Sequence, residues 1–236
     1  KEEKFERPDG WGQSYSKKMD NFDPKMMKER IKFLGSFDSQ PPVLNLPEVA
    51  FVGRSNIGKS SLLNSLTGSK EAVTGKTPGR TRRVNLFAVK ESPTKVLVMA
   101  DLPGFGYAKL SKQGEKGIED LLTSYFQDRQ DLKLVVLLVD ARLKPQESDM
   151  AAMDMLLGLQ IPFVVVATKV DRMGKNEMDT CLARYEQDIE LDEGQLIAYS
   201  SQTGEGKKFL WRCIKQGLFG GEEDSEDSEE EEDEDV

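Results

Sequence analysis

Gly53-Arg54-Ser55-Asn56-Ile57-Gly58-Lys59-Ser60 constrains this chain more than any other stretch, because the spacing matches GxxxxGK[ST] and the flanks fit it. The apolar run Val49–Val52 precedes it and an apolar-periodic segment follows, so it reads as a strand, a glycine-rich loop and a helix in succession. That unit cradles phosphates: glycines let backbone amides wrap the anion, and the helix N-terminus adds the positive end of its dipole. Lys59 is expected to neutralise the β- and γ-phosphates and the Ser60 hydroxyl to ligate magnesium, with Ser61 completing the first turn.

The rest of the pattern alternates short apolar runs with amphipathic stretches. Strands are expected near Glu48–Val52, Val84–Val89, Val96–Asp101, Leu134–Asp140, Phe163–Thr168 and Gln195–Ser200. Helices fit around Lys59–Leu66, Gly114–Gln127, Ser148–Gly158, Lys175–Ile189 and Gly206–Gly217, and a further one over Lys25–Ser36, which Pro41 and Pro42 end. The continuous apolarity of Leu134–Val139 and Phe163–Ala167 indicates strands buried on both faces, as in a parallel sheet covered by helices. Val84–Val89 reaches the next strand without a helix, which predicts an antiparallel hairpin through Ser92 and Pro93. The expected fold class is α/β, with a six-stranded, mostly parallel sheet flanked by helices. Residues 1–24 read as a flexible, charged arm, 25–219 as one domain and 220–236 as a disordered acidic tail.

Charge is unevenly spread. Glu222 to Asp235 holds 12 of the 42 acidic residues and no basic one, so the remainder carries 33 basic against 30 acidic residues and is mildly basic. The tail reads either as a solubilising end or as a mimic of nucleic acid that competes with RNA for a basic face. With no histidine, a histidine general base, a Ser-His-Asp triad and histidine metal ligands are excluded. Cys181 and Cys213, 32 residues apart, suggest neither a disulfide framework nor a zinc site. The longest apolar runs fall far short of the roughly 20 residues that span a bilayer, so no membrane partner is expected.

Three further elements fall at strand ends. Asp101 closes a buried run and is followed by Leu102, Pro103 and Gly104; this places its carboxylate where it can hold magnesium through water, with the Gly104 amide offered to the γ-phosphate. Thr168-Lys169-Val170-Asp171 ends another buried run. The Asp171 carboxylate can accept both the ring N–H and the exocyclic amino group of guanine, a pattern adenine lacks, while Lys169 packs along the base. Ser200-Ser201-Gln202 closes the last strand and can offer backbone amides to the guanine O6. Between Lys59 and Asp101, Thr77-Pro78-Gly79-Arg80-Thr81-Arg82-Arg83 has the place of a switch loop, with Thr81 the candidate second magnesium ligand and Gly79 and Arg80 beside it. Its basic residues read as a phosphate or RNA contact or as a solvated loop.

In this order the motifs Gly53–Ser60, Thr77–Thr81, Asp101–Lys109, Thr168–Asp171 and Ser200–Gly204 resemble the EngB family (also called YihA or YsxC) of translation-associated GTPases, within the TRAFAC class of P-loop GTPases. The resemblance covers roughly residues 25–219. It implies a Ras-like fold, magnesium-dependent binding of GTP and GDP, GTP hydrolysis, and a role in assembling the large ribosomal subunit with its rRNA precursor; bacterial members are linked to septation. It also implies that hydrolysis is slow, since Phe105 stands where Ras-type proteins keep a water-orienting glutamine. Asn56 stands where cation-dependent relatives bind potassium beside the phosphates, which places Asn56 with Lys59, Thr81 and Gly104 in the expected catalytic set. The arm and tail depart from the compact bacterial form and suggest an organellar version, plastid or mitochondrial, acting as a monomer. The rival to a switch is a ribosome-binding module that nucleotide merely stabilises; a membrane-trafficking GTPase is disfavoured because the chain shows no lipidation cysteine.

Overall fold

The computed structural model describes residues 23–70, 72, 83–105, 112–189, 191 and 194–220. Gly79, Arg80 and Thr81, most of the arm and the acidic tail lie outside the described residues.

Seven strands form one sheet: β1 (Ile31–Phe37), β2 (Glu48–Gly53), β3 (Val84–Lys90), β4 (Val96–Asp101), β5 (Leu132–Asp140), β6 (Phe163–Thr168) and β7 (Leu196–Tyr199). Their order is β1-β3-β4-β2-β5-β6-β7. The β1/β3 and β3/β4 pairs are antiparallel and the other four are parallel. The connecting helices are α1 (Lys59–Thr67), α2 (Lys112–Asp128), α3 (Glu147–Gly158), α4 (Lys175–Asp188) and α5 (Lys207–Phe219).

Period-two alternation divides the core. Ala50 and Val52 of β2 join the cluster that holds Leu122 and Phe126 of α2, Met153 and Leu156 of α3 and Tyr185 of α4. Val49 and Phe51 join the opposite cluster, with Leu62, Leu63 and Leu66 of α1 and Leu210, Ile214 and Leu218 of α5. The sheet is thus covered on both faces, as its continuous apolar strands require.

One expected element is corrected. Lys25–Ser36 is not a helix: a three-residue 3-10 turn at Pro24–Met26 is followed by β1, which extends the sheet from six strands to seven. The unpaired edge of β3 supplies a ladder and an aromatic neighbour, Phe87, whose ring centroid lies 5.3 Å from that of Phe33. Pairing with that edge outweighs the weak helical spacing of Met27, Ile31 and Leu34. A register shift between Phe33 and Gly35 lets consecutive residues Leu34 and Gly35 both be buried.

At the edge where β2 begins, Glu48 is fully buried and forms an ion pair with Arg129 at 2.7 Å. Tyr125 donates its hydroxyl to the same carboxylate, and Arg129 Nη1 donates to the carbonyls of Pro41 and Pro42 at 2.8 and 3.0 Å. This network fixes the incoming chain at the start of β2, at the opposite end of that strand from the glycine-rich loop.

Candidate functional site

The carboxyl ends of the strands bring the sequence motifs to one edge. Register sets Phe51 beside Asp101, Gly53 beside Leu138, Asp140 beside Thr168 and Thr168 beside Tyr199. In an open α/β sheet this edge is where ligands bind.

The loop from Gly53 to Gly58 turns directly into α1. A Cβ on Gly53 would stand 2.6 Å from the Leu138 carbonyl oxygen, so only glycine lets β2 and β5 approach this closely. Gly58 takes φ 114°, a left-handed conformation, and caps α1. Among the described residues no side chain caps that helix, which leaves the first-turn amides at Lys59, Ser60 and Ser61 available to an anion. Asn56 is exposed at φ 60°, which asparagine tolerates better than most residues, and the Ile57 side chain is buried.

Lys59 and Asp101 sit together at the loop. Both are almost completely buried, at 8% and 3% exposed. Burial pushes the Lys59 ammonium below its ordinary value while Asp101 opposes the shift. Burial likewise pushes the Asp101 carboxyl upward, against the pull of Lys59 and a hydrogen bond with Asn85. Asp101 Oδ1 is buried with no hydrogen-bond partner among the described residues. An orphaned carboxylate oxygen near the Ser60 hydroxyl's turn of helix is a hard-oxygen donor set that fits magnesium, which takes one or two protein ligands and completes its shell with water and phosphate.

The segment after Asp101 lies against the loop. The Phe105 amide donates to the Gly53 carbonyl at 3.3 Å, and the Ser55 amide donates to the Phe105 carbonyl at 3.4 Å. A Cβ on Gly104 would come within 3.0 Å of the Ser55 nitrogen, so this contact also depends on glycine. Arg54 contributes differently from a phosphate contact: its Nε lies 3.5 Å from Oδ1 of the fully buried Asp149 in α3. This ion pair ties the loop to α3.

The base-side motifs meet at the ends of β6 and β7. The Thr168 hydroxyl contacts the carbonyl oxygens of Ile57 and Val139, both at 2.9 Å, tying β6 to the loop and β5. Lys169, at φ 68°, donates from Nζ to the Asn56 carbonyl at 3.0 Å and to Asp140 Oδ2 at 2.8 Å. Asp171 is exposed, and its Oδ1 accepts from the buried Ser200 hydroxyl at 2.7 Å. The Ser200 Oγ in turn accepts from the Gln202 and Thr203 amides, both at 3.1 Å. Ser200 therefore organises the loop through its side chain, and Ser201 follows it half-buried at the surface.

Sequence reasoning missed Asp140. It ends β5, accepts from Arg142 Nε at 2.8 Å and Nη2 at 2.7 Å, and pairs with Lys169. Burial raises its carboxyl, but the hydrogen bonds from Arg142 and Lys169 outweigh that and hold it well below the usual aspartate range. The available signal was positional, since Asp140 closes a buried apolar run as Asp101 does.

Known proteins agree with this geometry. Residues 48–169 match the model of the family described as 50S ribosome-binding GTPase. The chain is 42% identical over 173 residues to the probable GTP-binding protein EngB of Natranaerobius thermophilus, covering 72% of this chain and 88% of that one. It is 41% identical over 182 residues to the probable GTP-binding protein EngB of Aquifex aeolicus, covering 77% and 96%. Among solved structures, a probable GTP-binding protein engB superposes with a TM-score of 0.60 at 23% identity, over 72% of this chain and 98% of that one. Era in complex with MgGDPNP and nucleotides 1506–1542 of 16S ribosomal RNA superposes with a TM-score of 0.61 at 26% identity, over 73% and 57%. With the uncapped helix, the Lys59–Asp101 pair and the Asp171 loop on one sheet edge, the chain belongs to the EngB family of P-loop GTPases, which bind guanine nucleotide and hydrolyse GTP.

Proposed function

We propose that this GTPase works as a slow switch in assembly of a large ribosomal subunit, with its nucleotide state controlling attachment to the particle. The observation that carries its nucleotide-binding half is that buried Lys59 and buried Asp101, one of whose oxygens is orphaned, face each other electrostatically at the uncapped start of α1. Burying a charge is costly unless a partner compensates it, and a phosphate–magnesium group supplies the compensation on both sides.

In this reading the amides of Gly53–Ser61 hold the phosphates and Lys59 neutralises the β- and γ-oxygens. Ser60 and Asp101 hold magnesium, which when bound supplies charge neutralisation at the phosphates; Thr81 joins them in the GTP state. Asp171 reads the guanine edge, Lys169 packs along the ring, and the Ser200–Gln202 loop supports the base. The Gly104 amide turns toward the γ-phosphate, and the bridge between Phe105 and the loop is the contact that yields. Its two hydrogen bonds, at 3.3 and 3.4 Å, are long and so inexpensive to open. Phe105 offers no group to orient a water, which keeps hydrolysis slow. Asn56 presents its side chain beside the phosphates, where a potassium ion can share the transition-state charge; equal turnover in sodium and potassium buffers would overturn that role.

The family description and the Era complex with rRNA support the ribosomal partner. The arm and tail, beyond the region shared with bacterial EngB proteins, support a plastid or mitochondrial site of action. Sedimentation with large ribosomal subunits tests the switch. Association that requires a non-hydrolysable GTP analogue, and is lost in Thr81→Ala, supports it; equal association with GDP, GTP and no nucleotide makes the chain a passive binder.

A further inference from the structure

The acidic segment Glu222–Asp235 carries none of the nucleotide-binding motifs, yet it follows closely on α5, whose composition is its opposite. That helix carries Lys207, Lys208, Arg212 and Lys215 and no acidic residue. The other helices differ: the one lysine of α1 is buried, while α2, α3 and α4 each include carboxylates.

The cations of α5 are organised. Leu210, Ile214 and Leu218 face the core. Lys208, Arg212, Lys215 and Phe219 recur at helical spacing along another side and form one stripe. Lys208 and Arg212 are exposed, and the Arg212 guanidinium lies 4.8 Å from the exposed Phe209 ring. At the far end Lys215 approaches Glu91 at 3.8 Å, and Lys95 of the β3–β4 connection lies 5.6 Å from the Phe219 ring. The stripe therefore ends where the acidic segment starts.

We propose that the acidic segment folds back along α5 and covers this basic stripe within the same chain. Reach is ample, because the stripe runs about 17 Å at 1.5 Å per helical residue, whereas 14 extended residues span about 45 Å. A single exposed ion pair contributes little. Here 12 carboxylates that repel one another gain a cationic partner held at high effective concentration by a connection of a few residues. Docking hides Lys208, Phe209 and Arg212 from any external polyanion and is independent of the ribosomal reading.

Zero-length carbodiimide coupling of the full chain, mapped by mass spectrometry, tests it by joining carboxylates to the lysines they touch. Tail carboxylates are expected on Lys207, Lys208 and Lys215 several-fold more often than on the exposed Lys133, Lys144 and Lys175, with the enrichment lost in about 1 M salt, where screening shortens to about 3 Å. The paired substitution Lys208→Glu and Arg212→Glu is expected to abolish tail couplings to Lys207 and Lys215, with its fold checked by thermal melting. An equal mixture of unlabelled and nitrogen-15 chains separates contacts within a chain from those between chains. Couplings spread in proportion to lysine exposure, absent from α5, or formed only between chains overturn the proposal from the wild-type data alone.

Discussion

The Ser200 hydroxyl donates to Asp171 Oδ1 at 2.7 Å, linking the end of β7 to the loop after β6. It leaves Asp171 exposed but restrained, so the carboxylate proposed to read the base is held by a residue that need not touch the base at all. Asp171→Asn is expected to move preference from guanine to xanthine nucleotides, because the amide NH2 would face the exocyclic amino donor of guanine but can donate to the carbonyl oxygen that xanthine carries there. Ser200→Ala is expected to lower GDP affinity about tenfold, the worth of one charged hydrogen bond, without changing base preference. Titration with fluorescent nucleotides checks both, and a change of preference in Ser200→Ala would show direct base contact.

Asp140 holds Lys169 against the loop and is almost fully buried. Asp140→Asn is expected to cost about 2–4 kcal/mol in denaturant unfolding, since it leaves Lys169 and Arg142 without their anion. Its native carboxyl lies below the unfolded value. The stability it contributes is therefore complete above the ordinary aspartate range and is lost as pH falls through it toward the native value. The gap between wild type and Asp140→Asn should be constant above about pH 5 and narrow below about pH 4. A gap that ignores pH down to the acid transition would mean the cost is packing.

Most of the parallel layer was legible because β2, β4, β5 and β6 are continuous apolar runs, and β2, β4 and β6 each carry a phosphate, metal or base motif at the end. β1 was not, since nothing in Ile31–Phe37 announces that the edge of β3 will receive it; the decisive partner lies more than 45 residues away, as Ile31 pairs with Val89. The site was read by backbone motif, which located Lys59, Asp101 and Asp171 but not the tertiary roles of their neighbours. Arg54 turned to the buried Asp149 and Ser200 to Asp171, because side-chain direction follows from packing that a linear spacing does not encode. Glu48 could not be foreseen as a buried charge, its partner Arg129 being brought in by α2.

The two close-packed glycines should fail differently. Gly53→Ala drives a methyl to 2.6 Å from the backbone of β5, which cannot move without breaking the sheet, and is expected to cost about 3 kcal/mol or more. Gly104→Ala meets the Ser55 backbone at 3.0 Å, in a loop that can give by a few tenths of an ångström. Its expected stability loss is about 1 kcal/mol, with GDP binding retained and the response to the GTP analogue lost. Equal destabilisation by both, read from denaturant midpoints, would show that the Gly104 segment is as rigid as the sheet.

Asp101 separates stability from function most sharply. Burial raises its native carboxyl above the unfolded value, so between those two values stability falls as pH rises, and above the native value the charged form is a standing cost. Magnesium requires that charged form. Nucleotide affinity in magnesium is therefore expected to weaken on acidification from a pH above the ordinary aspartate range, while affinity in a chelating buffer stays flat. Asp101→Asn should abolish the magnesium dependence, while the stability of the nucleotide-free protein at neutral pH is expected to change little, because relief of the buried carboxylate is offset by leaving buried Lys59 without its anion. Calorimetric titration of GDP with and without magnesium, paired with thermal melting, checks the two halves. A variant that keeps the full magnesium effect would move the ion's protein ligand away from the end of β4.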